Sequence, residues 1–373
     1  MAMTPPVNSY DEWTALRQVI VGRADNYHLH DMDASFRLFY FDNVQPTLDA
    51  RDGGRTRLEI PVRLVEELQE DIEEFTAALI GCGVQVLRPA APAKNTEIVA
   101  PLWEARSTPP LNVRDQTIIL GDTIVETAPH IRSRIFENDH LKPIFYRHLQ
   151  AGSRWLAMPR PALARGSLDP GYFTEQGIDV SEVTTDLDAE VIEGLGHELI
   201  FDGAQCIRLG RDVLVNVANR NHALGMSWLR SNFGGTFRFH ELAAIADSHI
   251  DSIVVPLRPG LMLLRSPKYL GALPAGMRNW DVIYPPATDD TAFPDYSYFG
   301  FNIASKYIDI NVLSINENTA VVNSLYPELA TELEYRGITA VPVRHRHRRL
   351  FGGGFHCFTL DTVRAGGPED YLD

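Results

Sequence analysis

Cysteine is scarce in this chain. Only three occur in 373 residues, Cys82, Cys206 and Cys357, widely spaced and without a CxxC pair. An odd, scattered set excludes a disulfide framework and a cysteine zinc site. No apolar run approaches the ~18 residues of a membrane-spanning helix. The N-terminal MAMTPPVNSYDEW lacks the basic-then-apolar order of a secretory signal. These absences predict a cytoplasmic protein with free thiols. A glycine-rich dinucleotide loop after a strand and a Walker loop are also missing. Basic residues are the minority: 34 Lys and Arg face 49 Asp and Glu, a formal net charge of −15. That balance excludes nucleic acid and anionic membrane as partners, since both need a basic footprint, and it suits a binder of small cations.

What is present is a repeated pattern. The length permits up to three domains, yet no low-complexity tract or linker divides the sequence, so one domain over 1–373 is expected. The polar, Pro/Gly-rich stretches 42–56 and 162–193 read as long surface excursions. Elsewhere an apolar strand, a tight turn, a second strand, a helix and a third strand recur. One unit reads QTIIL-GD-TIVETA (116–128), followed by a helix over about 131–150. A second reads AQCIRL-GRD-VLVNVA (204–218), a helix over 222–232, then FRFHEL. A third reads SIVVPL-RPG-LMLLRS (252–266), a short helix near Tyr269, then WDVIYP. A fourth reads YIDINVLSI-NEN-TAVVNS (307–324), the helix PELATELEYRG, then TAVPVR. Each turn carries the Gly, Asp or Asn that hairpins need. The strand LRQVIVGRA (16–24), its helix and VQVLRP complete the series with a C-terminal strand FHCFTLDTVR (355–364). Pairing of the first and last strands would close a ring of about five ββαβ units. A doubly wound α/β sheet fits less well, because its strands come singly between helices.

Polar residues mark matching places at the front of these units. Asp115 precedes the first, Asp202 the second, His249 and Asp251 the third and Ser305 the fourth, while Cys357 lies in the last. In a ring, equivalent strand starts converge, so these residues would line one pocket. Carboxylates, a histidine and a thiol suit a planar cation such as a guanidinium, whose N–H donors carboxylates accept in pairs. Cys82 and Cys206 lie within apolar patterns and read as small buried hydrophobes. Cys357 differs, because Gly352-Gly353-Gly354 precedes it and implies close backbone approach or unusual dihedrals. The run RHRHRR (344–349) reads as a solvated or partner-facing edge, and His28, His30, Asp31 and Asp33 as a mobile polar loop rather than a metal cluster.

These residues carry a family resemblance that runs nearly end to end. VNSYDEWTALRQVIVGRA (7–24), VRD (113–115), ETAPHIRSRIFE (126–137), GSRW (152–155) and FDGAQCIRLGRD (201–212) belong to it. So do SHIDS (248–252), PLRPGL (256–261), GGGFHCFTLD (352–361) and the terminal YLD. The chain resembles the L-arginine:amine amidinotransferases, and the resemblance implies a five-bladed pseudo-symmetric α/β propeller (pentein). It also implies transfer of the amidino group of L-arginine to an acceptor amine through an amidino-cysteine, with ping-pong kinetics, release of ornithine and no metal or organic cofactor. Cys357 matches the nucleophile and His249 the acid/base. Asp202 and Asp251 match carboxylates that hold the guanidinium, Asp115 a further acid, and Ser305 a serine near the substrate carboxylate. Lys268 stands where the glycine-using member has a carboxylate-binding arginine, a departure that loses the bidentate fork. That member has Asn-Pro-Met where this chain has Ala246-Asp247-Ser248, which predicts a roomier pocket. The acceptor is then larger than glycine: lysine, an aminocyclitol or another specialised-metabolite amine. Residues 31–55 also depart from the family and would shape its entrance. A homodimer is expected. The competing readings are a hydrolase of the arginine deiminase type and a noncatalytic guanidinium-binding protein.

Overall fold

In a computed structural model of the chain, the described residues are 4–39, 59–93, 96–164, 166–181, 194–288, 294 and 303–372. The predicted excursion 42–56 lies outside them, as do 182–193 of the second and 40–55 of the proposed entrance. The described residues have an α/β organisation built from five separate three-stranded sheets and one small pair, and no sheet closes on itself.

The first sheet centres on β1 (Leu16–Val21). Its antiparallel neighbour is the C-terminal strand β17 (Thr359–Arg364), as the sequence predicts, and its parallel neighbour is β2 (Gln85–Leu87). Between β1 and β2 runs α2 (Val62–Gly81), preceded by the short α1 (Ala34–Phe39). Leu64, Leu68, Ile72, Phe75 and Leu79 recur every three or four residues and form the buried stripe of α2. A small hairpin, β3 (Glu97–Val99) and β4 (Glu104–Arg106), follows.

The other four sheets repeat the order hairpin, crossover, parallel strand. The second has β5 (Thr117–Leu120), β6 (Thr123–Glu126), α3 (Lys142–Gln150) and β7 (Arg154–Ala157). The third has β8 (Cys206–Leu209), β9 (Asp212–Val217), α4 (Arg220–Phe233) and β10 (Arg238–Ala243). The fourth has β11 (Val254–Arg258), β12 (Leu261–Leu264), two 3₁₀ turns and β13 (Asp281–Ile283). The fifth has β14 (Leu313–Asn316), β15 (Thr319–Asn323), α5 (Pro327–Tyr335) and β16 (Thr339–Val343). Strands such as β5, buried at all four positions of TIIL, are covered on both faces and so lack polar alternation.

The apolar core lies between neighbouring sheets. Ile20 and Leu360 meet Ile119 and Ile124, while Ile118 and Val125 meet Val213 and Val215. Ile207 and Leu214 meet Val254 and Met262, and Val255 and Leu263 meet Ala320 and Val322. Leu313 and Val321 then meet Val19 and Val21 of the first sheet. Each sheet thus buries its side chains against two others, which is the dominant favourable contribution to folding here.

Several sequence expectations need correction. The helix predicted over 131–150 is two 3₁₀ turns (Arg132–Arg134 and Glu137–His140) followed by α3, because Arg134 turns inward to Asp115 and Glu137 and Pro143 fits only a helix start. The strands predicted from 307 and from 355 begin later, at Leu313 and Thr359. Cys82 is exposed, since it follows the last turn of α2, whereas Cys206 is buried as expected. His30 and Asp31 are buried, bonded to Ser133 Oγ at 2.6 Å and to the Arg106 amide at 2.9 Å, so that segment is part of the packed interior. The RHRHRR run is not a solvated edge. Arg344 and Arg346 pair with Asp71 of α2, His347 with Glu67, and buried Arg348 with Asp309. It staples α6 (Arg348–Phe351) and its approach to the acidic face of α2. No metal-binding cluster occurs among the described residues, and none of their helices is long and apolar enough to cross a membrane.

Candidate active site

Each reactive residue stands ahead of an edge strand of its sheet. Asp115 precedes β5, Asp202 β8, His249 and Asp251 β11, Ser305 β14 and Cys357 β17. Hydrogen bonds run from each of these loops to the next. Gly203 N–H donates to Asp115 O, Ile250 N–H to Ala204 O, Asn311 Nδ2 to Asp251 O at 3.0 Å, and Cys357 N–H to Asn311 Oδ1 at 2.9 Å. Arg114 N–H, donating to Cys357 O, returns to the start.

The three glycines set the Cys357 turn. Gly352 ends α6 with φ +64°, a left-handed conformation that side chains resist. A Cβ on Gly353 would lie 2.4 Å from Asn112 Oδ1, and one on Gly354 would lie 2.7 Å from Asn311 Cβ. The backbone therefore passes close under its neighbours and carries Cys357 to the floor of a cavity of about 220 Å³. Asp115, Ser248, His249, Asp251, Ser305 and Cys357 all line it, joined by Arg265 and Phe39.

Asp202 does not line the cavity. It lies behind His249, with Oδ2 2.9 Å from His249 Nε2, while Gln116 Nε2 approaches Oδ1 at 3.3 Å. Contrary to the sequence expectation, Asp202 therefore does not face the cavity beside Asp251; the carboxylates that do are Asp115 and Asp251. Each keeps one buried oxygen, Oδ1, without a hydrogen bond. Their other oxygens are engaged: Asp115 Oδ2 by Arg134 at 2.6 Å, Asp251 Oδ2 by His356 Nδ1 at 2.8 Å and by the Cys357 thiol at 3.3 Å. A buried carboxylate oxygen with no donor costs about 1–3 kcal/mol, which a ligand N–H would relieve.

Lys268 is also outside the cavity lining. It is exposed and its ammonium sits over the Tyr269 ring. The cation that does face the cavity is Arg265, three residues earlier. Its Nη2 donates to Ser305 Oγ, its guanidinium lies 5.0 Å from the Tyr307 ring centroid, and its buried Nε has no acceptor. Sequence reasoning passed over Arg265, Asn311 and His356, although His356 adjoins Cys357 in the quoted motif. His356 bridges Asp251 to Glu12, which is in turn held by Arg208 at 2.8 Å.

Electrostatics follow from this packing. Burial, with Asp251 and Asp115 beside it, pushes the Cys357 thiol well above its ordinary value. Burial works against charge on His249, but Asp115 and Asp202 outweigh it and raise its pKa to about 9. Burial raises Asp115, more than its cationic neighbours lower it. On Asp251 the same desolvation is overcome by His356 and His249, which bring it to about 2. The pocket thus disfavours a free thiolate, favours a charged imidazole and carries negative charge suited to a cation.

A pocket of this composition suits a cationic group. No family model matches the chain, but relatives match along its whole length. It is 32% identical over 368 residues to inosamine-phosphate amidinotransferase 1 of Streptomyces griseus, covering 98% of this chain and 99% of that one. It is 28% identical over 375 residues to the L-arginine:L-lysine amidinotransferase of Pseudomonas savastanoi pv. phaseolicola, covering 99% and 97%. The solved inosamine-phosphate amidinotransferase of Streptomyces griseus superimposes with a TM-score of 0.81 at 30% identity, covering 98% and 99%. The chain belongs to the amidinotransferase family and is an enzyme that transfers amidino groups.

Proposed function

We propose that this enzyme moves the amidino group of L-arginine to an acceptor amine through a covalent bond to Cys357. The observation that carries the reading is the convergence of the Cys357 thiol, the His249 imidazole and the free oxygens of Asp115 and Asp251 on one cavity. Arginine enters with its guanidinium on those two oxygens. That cation partly cancels the negative charge that keeps the thiol protonated, so the thiol releases its proton to solvent, and the thiolate forms, only when substrate is bound. The thiolate attacks the guanidinium carbon, protonated His249 gives its proton to the leaving δ-nitrogen, the C–N bond breaks and ornithine departs. The amidino-cysteine stays cationic on the same carboxylates. A second amine loses a proton to neutral His249, attacks the amidino carbon and returns the thiolate. One imidazole is acid first and base second, a double role best served by a value near the working pH.

The ring of loop hydrogen bonds and the core packed between successive sheets support a five-bladed propeller in which 1–373 acts as one catalytic domain. The lysine and inosamine-phosphate named for the relatives support an acceptor larger than glycine. So does the short-side-chain stretch Ala246-Asp247-Ser248 along the cavity, where buried Ser248 Oγ has no partner. The deciding experiment incubates the enzyme with arginine alone, then with a panel of amines. Expected are one amidino mass on the Cys357 peptide and guanidinylated products from amines larger than glycine. Citrulline or urea in place of product would make it a hydrolase, and the absence of any adduct would remove the covalent step.

In this reading Arg265, which lines the cavity and donates to Ser305 Oγ, takes the α-carboxylate of arginine together with Ser305. Arg265→Ala is expected to raise KM for arginine about 10–100-fold, the cost of one or two charge-assisted hydrogen bonds, with a smaller change in kcat. Arg265→Lys should recover only part, having lost the planar fork. Lys268→Ala should behave as wild type. A KM rise in Lys268→Ala with none in Arg265→Ala would reverse the assignment.

A further inference from the structure

Behind the acid/base histidine lies a second pair of histidines with no part in the chemistry above. His222 is fully buried in the first turn of α4, and His130 stands beside it at the end of the loop after β6. The protons of this pair can be placed from the backbone outward. Ala218 N–H, which can only donate, points at His222 Nδ1 at 3.2 Å. His222 Nδ1 is therefore an acceptor, and the hydrogen of this neutral ring sits on Nε2. His222 Nε2 lies 2.8 Å from His130 Nε2. Two imidazole nitrogens at that distance need one donor and one acceptor, so His222 donates and His130 accepts. The hydrogen of His130 then sits on Nδ1, 3.2 Å from Asp202 Oδ1 in an off-line approach that is chiefly electrostatic. The other oxygen of Asp202 receives His249 Nε2–H at 2.9 Å.

We infer that His130 and His222 are positioning residues, which hold Asp202 as an ionised acceptor and so commit His249 to carry a hydrogen on Nε2 and to work from Nδ1. The inference rests on the proposed acid/base role of His249. The sequence of donors has one direction only, set by a backbone amide that cannot reverse. His249 Nδ1 is the nitrogen left toward the cavity, 3.8 Å from Asp115 Oδ1. The groups facing this line are Asp115, Asp202, Asp251 and Cys357, with Phe39 packed edge-on to His249 at 5.0 Å and against His130 at 5.4 Å. Without the pair, Asp202 Oδ1 keeps only the longer contact from Gln116 Nε2 at 3.3 Å, and the imidazole that Asp202 holds is less firmly fixed in orientation and tautomer. Supporting groups of this kind are commonly worth about 10–100-fold when removed.

The test compares His222→Phe, which keeps the ring volume but has no donor, with His222→Gln, whose amide can donate near the position of Nε2. His222→Phe is expected to lower kcat at least about tenfold with KM for arginine nearly unchanged, and His222→Gln to recover most of it. Adding His222→Phe to a His249→Asn enzyme should cost nothing further, because the pair acts only through His249. If His222→Phe does not fold, His130→Ala, nearer the cavity, takes its place and should show the same kcat loss. Wild-type kcat in either variant, a loss residing in KM, equal activity of the Phe and Gln variants, or additive loss in the His249→Asn background would each overturn the inference. Wild-type enzyme that forms no amidino-cysteine would instead overturn the reading on which it rests.

Discussion

Replacing Cys357 with serine is expected to lower amidino transfer by at least about 10⁴-fold while arginine binding survives within a few-fold. The hydroxyl occupies nearly the same volume on the same turn, so the close passage of Gly353 and Gly354 under Asn112 and Asn311 is undisturbed. The amide of residue 357 still donates to Asn311 Oδ1. Chemistry fails because the bound guanidinium can shift a thiol into its thiolate range but not an alcohol, and the amidino carbon is already stabilised by resonance. Removal of a nucleophile from a covalent mechanism commonly costs several orders of magnitude, with residual rate left to binding and orientation. Two measurements check this. Titration of the variant with arginine should give a dissociation constant near that of wild type, and its intact mass after incubation should show no amidino adduct. A variant that keeps a tenth of the activity would make Cys357 a bystander. One that loses arginine affinity to the same degree as activity would make it a binding residue.

How much of this site was legible in the sequence depends on what each residue needs to reveal itself. Asp115, His249, Asp251, Ser305 and Cys357 could be read together because hairpin patterns mark strand starts, and a chemically reactive side chain at each start is an unusual coincidence. Those five do line one cavity. Position at a strand start does not say which way a carboxylate faces, however. Asp202 looked equivalent to Asp251, yet it faces His249: it stands at the start of the 3₁₀ turn Gly203–Gln205, its amide donating to Gln205 Oε1 at 2.8 Å and its carboxylate 2.9 Å from His249 Nε2. Lys268 and Arg265 differ by three residues. The 3₁₀ turn Pro267–Ala272 that follows β12 takes the lysine into solvent, while Arg265 directly continues the strand into the cavity. The RHRHRR run failed for another reason. The partners of Arg344, Arg346 and His347 are acids of α2 some 270 positions earlier, and charge alone cannot distinguish a solvated edge from a neutralised staple. His130, His222, His356 and Glu12 are invisible for the same cause. Each is ordinary in its own segment and acquires meaning only from a partner far along the chain.

Replacing Asp251 with asparagine is expected to move two readouts in opposite directions. Turnover should fall roughly 10²–10³-fold in kcat/KM, because the amide no longer offers charge to the guanidinium in a buried pocket, where removing one partner of an ionic contact costs a few kcal/mol. The free Cys357 thiol, by contrast, should become more reactive toward a small alkylating reagent near neutral pH. Burial comes first in holding that thiol protonated, and Asp251 is the foremost of the charges that add to it. Deleting the negative charge lowers the thiol pKa, so at a pH below that value a larger fraction is thiolate. The same deletion removes one of the two negative neighbours that arginine must cancel, so arginine should accelerate the thiol less in the variant than in wild type. Neither effect is a general softening of the fold, which would raise reactivity without abolishing the arginine response. Alkylation rates with and without arginine, measured from about pH 6 to 9 on both proteins alongside steady-state transfer, separate these outcomes. Slower alkylation in the variant would mean that Asp251 activates the thiol directly as its base. The cationic substrate would then not be what turns the nucleophile on.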